Sequence, residues 1–154
     1  MAAGTFTLFA KNKDDLRIND IVGGTIKLAL VSSAWTPNIT TTGNALWADV
    51  SANEIANGQG YTTGGVTLTG AAATATAGTN GYFLAASVPV WTASGTGIPA
   101  HRYYVMYLSG TVWGQVNPLI GYFLGDATPA DIPLTTATNT ITVTQPATGW
   151  FDLI

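Results

Sequence analysis

The stretch AHRYYVMYLSG, residues 100–110, constrains the fold more than any other part of the chain. Read as a strand, it places Tyr103, Val105 and Tyr107 on one face and Tyr104, Met106 and Leu108 on the other. Both faces are apolar, so the strand is expected to be central. Its neighbours are expected among TIKLALV, PLIGYFL and the C-terminal GWFDLI. The other apolar runs are equally short. GGTIKLALVSS starts after a Gly23–Gly24 turn, aligns Ile26, Leu28 and Leu30, and ends at Ser32, Ser33, Thr36 and Pro37. GVTLTG and AAATATAG are runs of small and β-branched residues. GYFLAASVPVWTASG contains Pro89, which argues for an edge or a bulge. NTITVTQ completes the set.

Short strands separated by Gly, Pro and Asn point to an all-β domain over residues 1–154. A sandwich or barrel-like antiparallel sheet is expected, with at most short helical turns. One such turn is expected in TTTGNALWADVSANEI, where Asn44 can cap and Leu46, Trp47 and Val50 fall at i, i+1 and i+4. No linker, second domain or solenoid period is visible. Leu28, Leu30, Val105, Tyr107, Ile120, Phe123 and Phe151 are the expected core. Arg102, a rare cation, is expected to meet a carboxylate, Asp49 or Glu54.

Charged residues make up 8% of the chain, against roughly 25% in an ordinary domain. Thr, Ser, Asn, Ala and Gly must cover the surface instead, which protects poorly against self-association. Five Trp, six Tyr and five Phe are ample for a core. The net charge of −3 carries no basic footprint, so neither nucleic acid nor an anionic membrane is an expected partner. No apolar run approaches the roughly 18 residues of a membrane span, and MAAGTFTLFAKNKDD lacks the features of an export signal. The mixed-sign run KNKDDLRIND reads as a solvated turn or short helix, with a polar contact strip against a partner subunit as the alternative.

The chemistry-bearing motifs are incomplete. Gly60 and Gly65 have phosphate-loop spacing, but Val66-Thr67 follow where Lys-Thr is needed. Gly58 and Gly60 begin a dinucleotide fingerprint that fails at Thr63. The stretch reads as a positive-φ turn and a hairpin entry at Thr63-Gly64-Gly65. His101 is the only histidine; with no nucleophile elbow in the chain, it reads as a hydrogen-bonded rim residue. With no Cys, thiolate chemistry is excluded. Asp49 and Glu54 lack the spacing of a calcium loop. Asn38-Ile39-Thr40 fits a glycosylation acceptor, without other signs of secretion. No catalytic, cofactor-binding or metal residue is therefore expected. The five tryptophans suit a sugar-binding surface, a core or an oligomer interface. Trp113, between Gly110 and Gly114 at a loop tip, is the first expected interface anchor, with Trp35 and Trp47 next.

Four stretches carry a resemblance: KLALVSSAWTPN, WADVSANEIANGQGYTTGGVTLTG, WTASGTGIPAHRYYVMY and NPLIGYFLGD. The order S-x-[WY]-T-P, D-V-[ST]-x-N-E, G-x-G-Y-T-x-G-G and I-P-A-x-R-Y resembles a group of small virion proteins of tailed bacteriophages. It spans nearly the whole chain, from about Phe6 to Ile154. The resemblance implies a non-enzymatic structural protein without cofactors, most simply a capsid decoration or cement subunit on the head surface. A tail or fibre component touching the host is the alternative. The implied partners are the major capsid protein or other virion proteins and further copies of the chain, in a trimer by analogy with decoration proteins.

Overall fold

Residues 103–109 lie at the centre of the molecule, as their two apolar faces require. The structure is a computed structural model and describes residues 3–75, 82–128, 130–144 and 150–153. In chain order it contains β1 (Thr7–Leu8), α1 (Ile18–Gly23), β2 (Thr25–Val31), β3 (Val66–Leu68), β4 (Ala72–Ala75) and β5 (Tyr82–Ala85). There follow β6 (Val90–Thr92), β7 (Tyr103–Ser109), β8 (Thr111–Val112), β9 (Gln115–Val116), β10 (Leu119–Leu124), β11 (Thr140–Thr142) and β12 (Asp152–Leu153). Strands in antiparallel sheets dominate, with α1 and short 3-10 turns beside them. The fold is all-β.

The main sheet has the order β1-β10-β7-β2-β3. β7 pairs with β2 from Thr25↔Ser109 to Val31↔Tyr103, and with β10 from Leu119↔Tyr107 to Leu124↔Tyr103. TIKLALV and PLIGYFL are therefore its neighbours. The C-terminal strand β12 instead pairs with β5, through Asp152↔Phe83 and Leu153↔Tyr82. Gly149 and Ile154 of GWFDLI, residues 76–78 of AAATATAG, Gly81 of GYFLAASVPVWTASG and Gln145 of NTITVTQ lie outside the described residues.

Each face of the main sheet has its own core. Ile26, Leu28, Leu30, Tyr104, Met106 and Leu108 face Trp91, Ile98, Ile141 and Val143 from the β6–β11 layer, with Ile21 of α1. Ala29, Val31, Tyr103, Val105 and Tyr107 face Phe9, Trp35, Trp47 and Val50. A second sheet covers the first face; an irregular segment, residues 32–53, supplies most of the cover on the second. Ile120 and Phe123 reach the same core although three residues apart. The register shifts between Leu119 and Gly121, and that bulge flips the alternation. All seven expected core residues are buried.

Two local expectations need correction. Residues 47–49 and 51–53 form 3-10 turns, but Asn44 does not cap them. Asp49 does, its Oδ2 accepting from the N–H groups of Ala45 (2.8 Å) and Leu46 (3.0 Å). The charged run is solvated in Lys11, Lys13, Asp14, Asp15 and Arg17, yet Asn12 within it is fully buried. Its Nδ2 donates to the carbonyls of Ala45 (2.6 Å) and Leu119 (2.8 Å), tying the N-terminal segment to β10 and the cover.

Candidate functional site

The glycine-rich turn is built around Glu54. Gly58 and Tyr61 exchange backbone hydrogen bonds of 2.8 and 2.9 Å. Glu54 Oε1 accepts from the Tyr61 hydroxyl and from the Gly64 N–H, both at 2.6 Å. The Tyr61 oxygen accepts from Leu30 N–H at 3.1 Å, and the Tyr107 hydroxyl donates to Gly64 O at 2.8 Å. Burial, reinforced by Glu54, pushes the Tyr61 phenol well above its ordinary pKa; burial pushes Tyr107 up to about 12. Gly60 (φ 94°) and Gly65 (φ 74°) lie in the left-handed region, as a positive-φ turn requires. A Cβ at Gly60 would strike the Thr92 carbonyl, and one at Gly65 the Leu28 carbonyl. The glycines thus let the turn lie directly on β2 and β6.

This geometry leaves little for an anion. Gly58, Tyr61, Thr63, Gly64 and Gly65 all spend their N–H groups on acceptors within residues 54–62. A phosphate at this turn would also face the Glu54 carboxylate. The arrangement can brace two layers of the fold.

His101 is fully buried, not at a rim. Its Nδ1 lies 3.1 Å from Pro99 O and its Nε2 2.9 Å from the Tyr104 hydroxyl. The Pro99 carbonyl can only accept, so Nδ1 carries a proton, and in the neutral ring Nε2 accepts from the Tyr104 hydroxyl. Burial pushes its pKa down. Arg102 Nε donates to Asp131 Oδ1 at 2.7 Å, and Ser33 Oγ to Asp131 Oδ2 at 3.0 Å. Asp131 therefore takes the role expected of Asp49 or Glu54, both of which are engaged in turns. The hydrogen bond from Arg102 holds the Asp131 carboxyl below the usual carboxylate range. The two residues are 29 positions apart, and no local pattern marks them as partners.

The tryptophans do not line a common surface. Trp35 is 4% and Trp47 8% exposed. Trp47 stacks on Tyr107 at 4.6 Å, and Trp35 meets Tyr103 (5.1 Å) and Tyr122 (5.7 Å) edge-on. Trp91 and Trp150 belong to the first core. Trp113 does stand at a tip, in the two-residue turn joining β8 to β9, but it is half-buried. Its indole packs against the first core and donates from Nε1 to Asp20 Oδ2 at 2.9 Å. The indoles of Trp35 and Trp47 are spent inside the chain, and much of Trp113 with them.

A cavity of about 250 Å³ lies between β11 and the β7–β10 layer, lined by Ala3, Tyr104, Phe123, Gly125, Thr142, Val143 and Thr144. Among the described residues its walls carry no carboxylate, amine or imidazole. Among the described residues no three His, Cys, Asp or Glu side chains cluster to hold a metal. No protein-family model, curated protein or solved structure matches this chain.

Proposed function

We propose that this chain is a non-enzymatic structural subunit of a tailed-phage particle, a decoration or cement protein seated on the capsid surface. One observation carries the reading: the residues of the phage-like motifs spend their chemistry on holding the fold together. Trp35 covers the second core, Asp49 caps a turn, Glu54 and Tyr61 brace the glycine turn, and Arg102 pins Asp131. The surface left over carries few charges, since charged residues make up 8% of the chain. Of the five basic and eight acidic residues, six fall within residues 11–20. The outer face of the β6–β11 ribbon exposes only Val90, Thr92, Thr140 and Thr142. An uncharged surface costs little to desolvate when it meets a capsid or another copy.

Adding the purified protein to whole phage particles that lack it, followed by image reconstruction, tests the reading. Density at regular positions on the outer head lattice is expected. Density confined to the tail would move the chain to a tail or fibre role. No occupancy on any virion part would overturn the structural reading.

A further inference from the structure

Residues 130–135 run back along residues 98–102 and close one end of the molecule. Ile98 and Thr135 exchange two backbone hydrogen bonds of 3.0 Å. His101 donates to Ile132 O at 3.2 Å, and Ile132 donates back to His101 O at 2.8 Å. The Asp131 carboxylate ties the strap to Arg102 and Ser33. The Ile132 side chain lies against Gly125, where a Cβ would approach its Cγ1 to 2.6 Å. Beneath the strap sits the fully buried His101, edge-on to the Tyr104 ring at 5.2 Å.

We propose that His101 is an acid-sensitive latch: when its imidazole takes up a proton, residues 98–101 and 130–135 part while the five-stranded sheet stays closed. The neutral ring satisfies both nitrogens. A proton on Nε2 turns the acceptor of the Tyr104 hydroxyl into a donor. The contact can re-form with Tyr104 accepting, but the tyrosine proton then loses its acceptor. The charged groups beside the ring are Asp131 on the strap and Arg102 at the head of β7. Their side chains are 38% and 29% exposed and bonded to each other, so the carboxylate compensates a buried imidazolium poorly. Solvating the ring requires the strap's backbone bonds, the Asp131 clamp and the packing of Ile132 against Gly125 to be given up. The backbone bonds that hold β7 to its neighbours begin at Arg102, whose N–H donates to Val31 O and whose carbonyl accepts from Gly125 N–H, both at 2.9 Å, and they continue from Tyr103 along β2 and β10. Opening the strap therefore costs less than unfolding the sheet.

The sign follows from linkage. Burial lowers the pKa of the closed-state ring, whereas in the opened state it returns to about 6.5. Between those two values opening takes up one proton, so the open population rises about tenfold for each pH unit of acidification. Because the chain has one histidine, its ring resonance in NMR reads the titration without ambiguity. Amide exchange, corrected for intrinsic rate, reads the opening. Ile132 and Thr135 N–H are expected to lose protection by about that factor below pH 6.5, while Ala29 and Val105, paired in mid-sheet, keep theirs. In His101→Gln the pH dependence at Ile132 and Thr135 should vanish. Strap protection independent of pH in the native chain would overturn the latch, as would simultaneous loss at Ala29 and Val105. An unchanged pH dependence in His101→Gln would do the same. The native-chain comparison decides the matter even if that variant does not fold.

Discussion

Glu54 shows how a single carboxylate can stand where a ligand site would be sought. It lies beside a glycine-rich turn, yet its Oε1 serves the Tyr61 hydroxyl and the Gly64 N–H. Replacing it with alanine strands two donors, one of them on the buried Tyr61. A loss of about 1.5–3 kcal/mol is expected, the range for hydrogen bonds to charged groups. Glu54→Gln retains a neutral acceptor and should lose only about 1 kcal/mol. Urea denaturation of both variants checks the order; equal midpoints would show that the charge on the acceptor is irrelevant. Tyr61→Phe leaves Leu30 N–H without its partner and should cost about 1–3 kcal/mol.

At the scale of elements, two turns carry most of the local information. Gly58 and Gly60 both have positive φ, but their surroundings differ. Alanine at Gly58 meets nothing within 4 Å, so only the left-handed backbone penalises it, by about 1–2 kcal/mol. Alanine at Gly60 adds a collision with the Thr92 carbonyl. Gly60→Ala should therefore lower the melting temperature more than Gly58→Ala, and the reverse order would refute the close approach of the turn to β6. The β8–β9 turn is less usual. Trp113 (φ 55°) and Gly114 (φ 72°) fit a type I′ turn, in which Asn commonly takes the first position. A bulky residue is rare in that conformation, and the bond to Asp20 with the packing of the indole offsets its strain. A double-mutant cycle on Trp113→Asn and Asp20→Ala should return a coupling of about 1–2 kcal/mol. Additive effects would mean that the Trp113–Asp20 bond does not hold the hairpin onto α1.

For the whole molecule, the dominant fact is that distant segments pair. β1 pairs with β10 through Thr7↔Tyr122, and β2 with β7 through Ile26↔Leu108. Such non-local pairing must close large loops before it is rewarded, so folding is expected in milliseconds to seconds rather than microseconds. Stopped-flow tryptophan fluorescence measures it. The low charge has a separate consequence for the proposed assembly. Raising salt from about 0.1 to 1 M shortens the screening length from about 10 to about 3 Å. Contacts between uncharged surfaces should survive that change. Sedimentation velocity should then find the same oligomer, a trimer on the decoration reading, at both salt concentrations. Dissociation at high salt would place the charged segment 11–20 in the interface instead.

The alternation of YYVMYL by itself determined that β7 is central, because a strand apolar on both faces is stable only with cover on both. The short runs between turn residues likewise determined the all-β class. The glycines at 58, 60, 64 and 65 marked a positive-φ turn, since steric rules for φ act within one residue. Tertiary structure alone decided the rest. In sequence Trp35 and Trp47 suit a sugar-binding surface, a core or an interface, and only the route of residues 32–53 across the second sheet face buries them. Arg102 meets Asp131 and not Asp49 or Glu54 because the strap returns along residues 98–102, a pairing set by backbone hydrogen bonds. His101 precedes a strand, where sequence suggests a rim; burial depends on what the chain later lays over it, here residues 130–135. Alternation and turn chemistry are local properties of the chain, whereas burial and charge pairing depend on segments that are distant in sequence and are settled only when those segments pack.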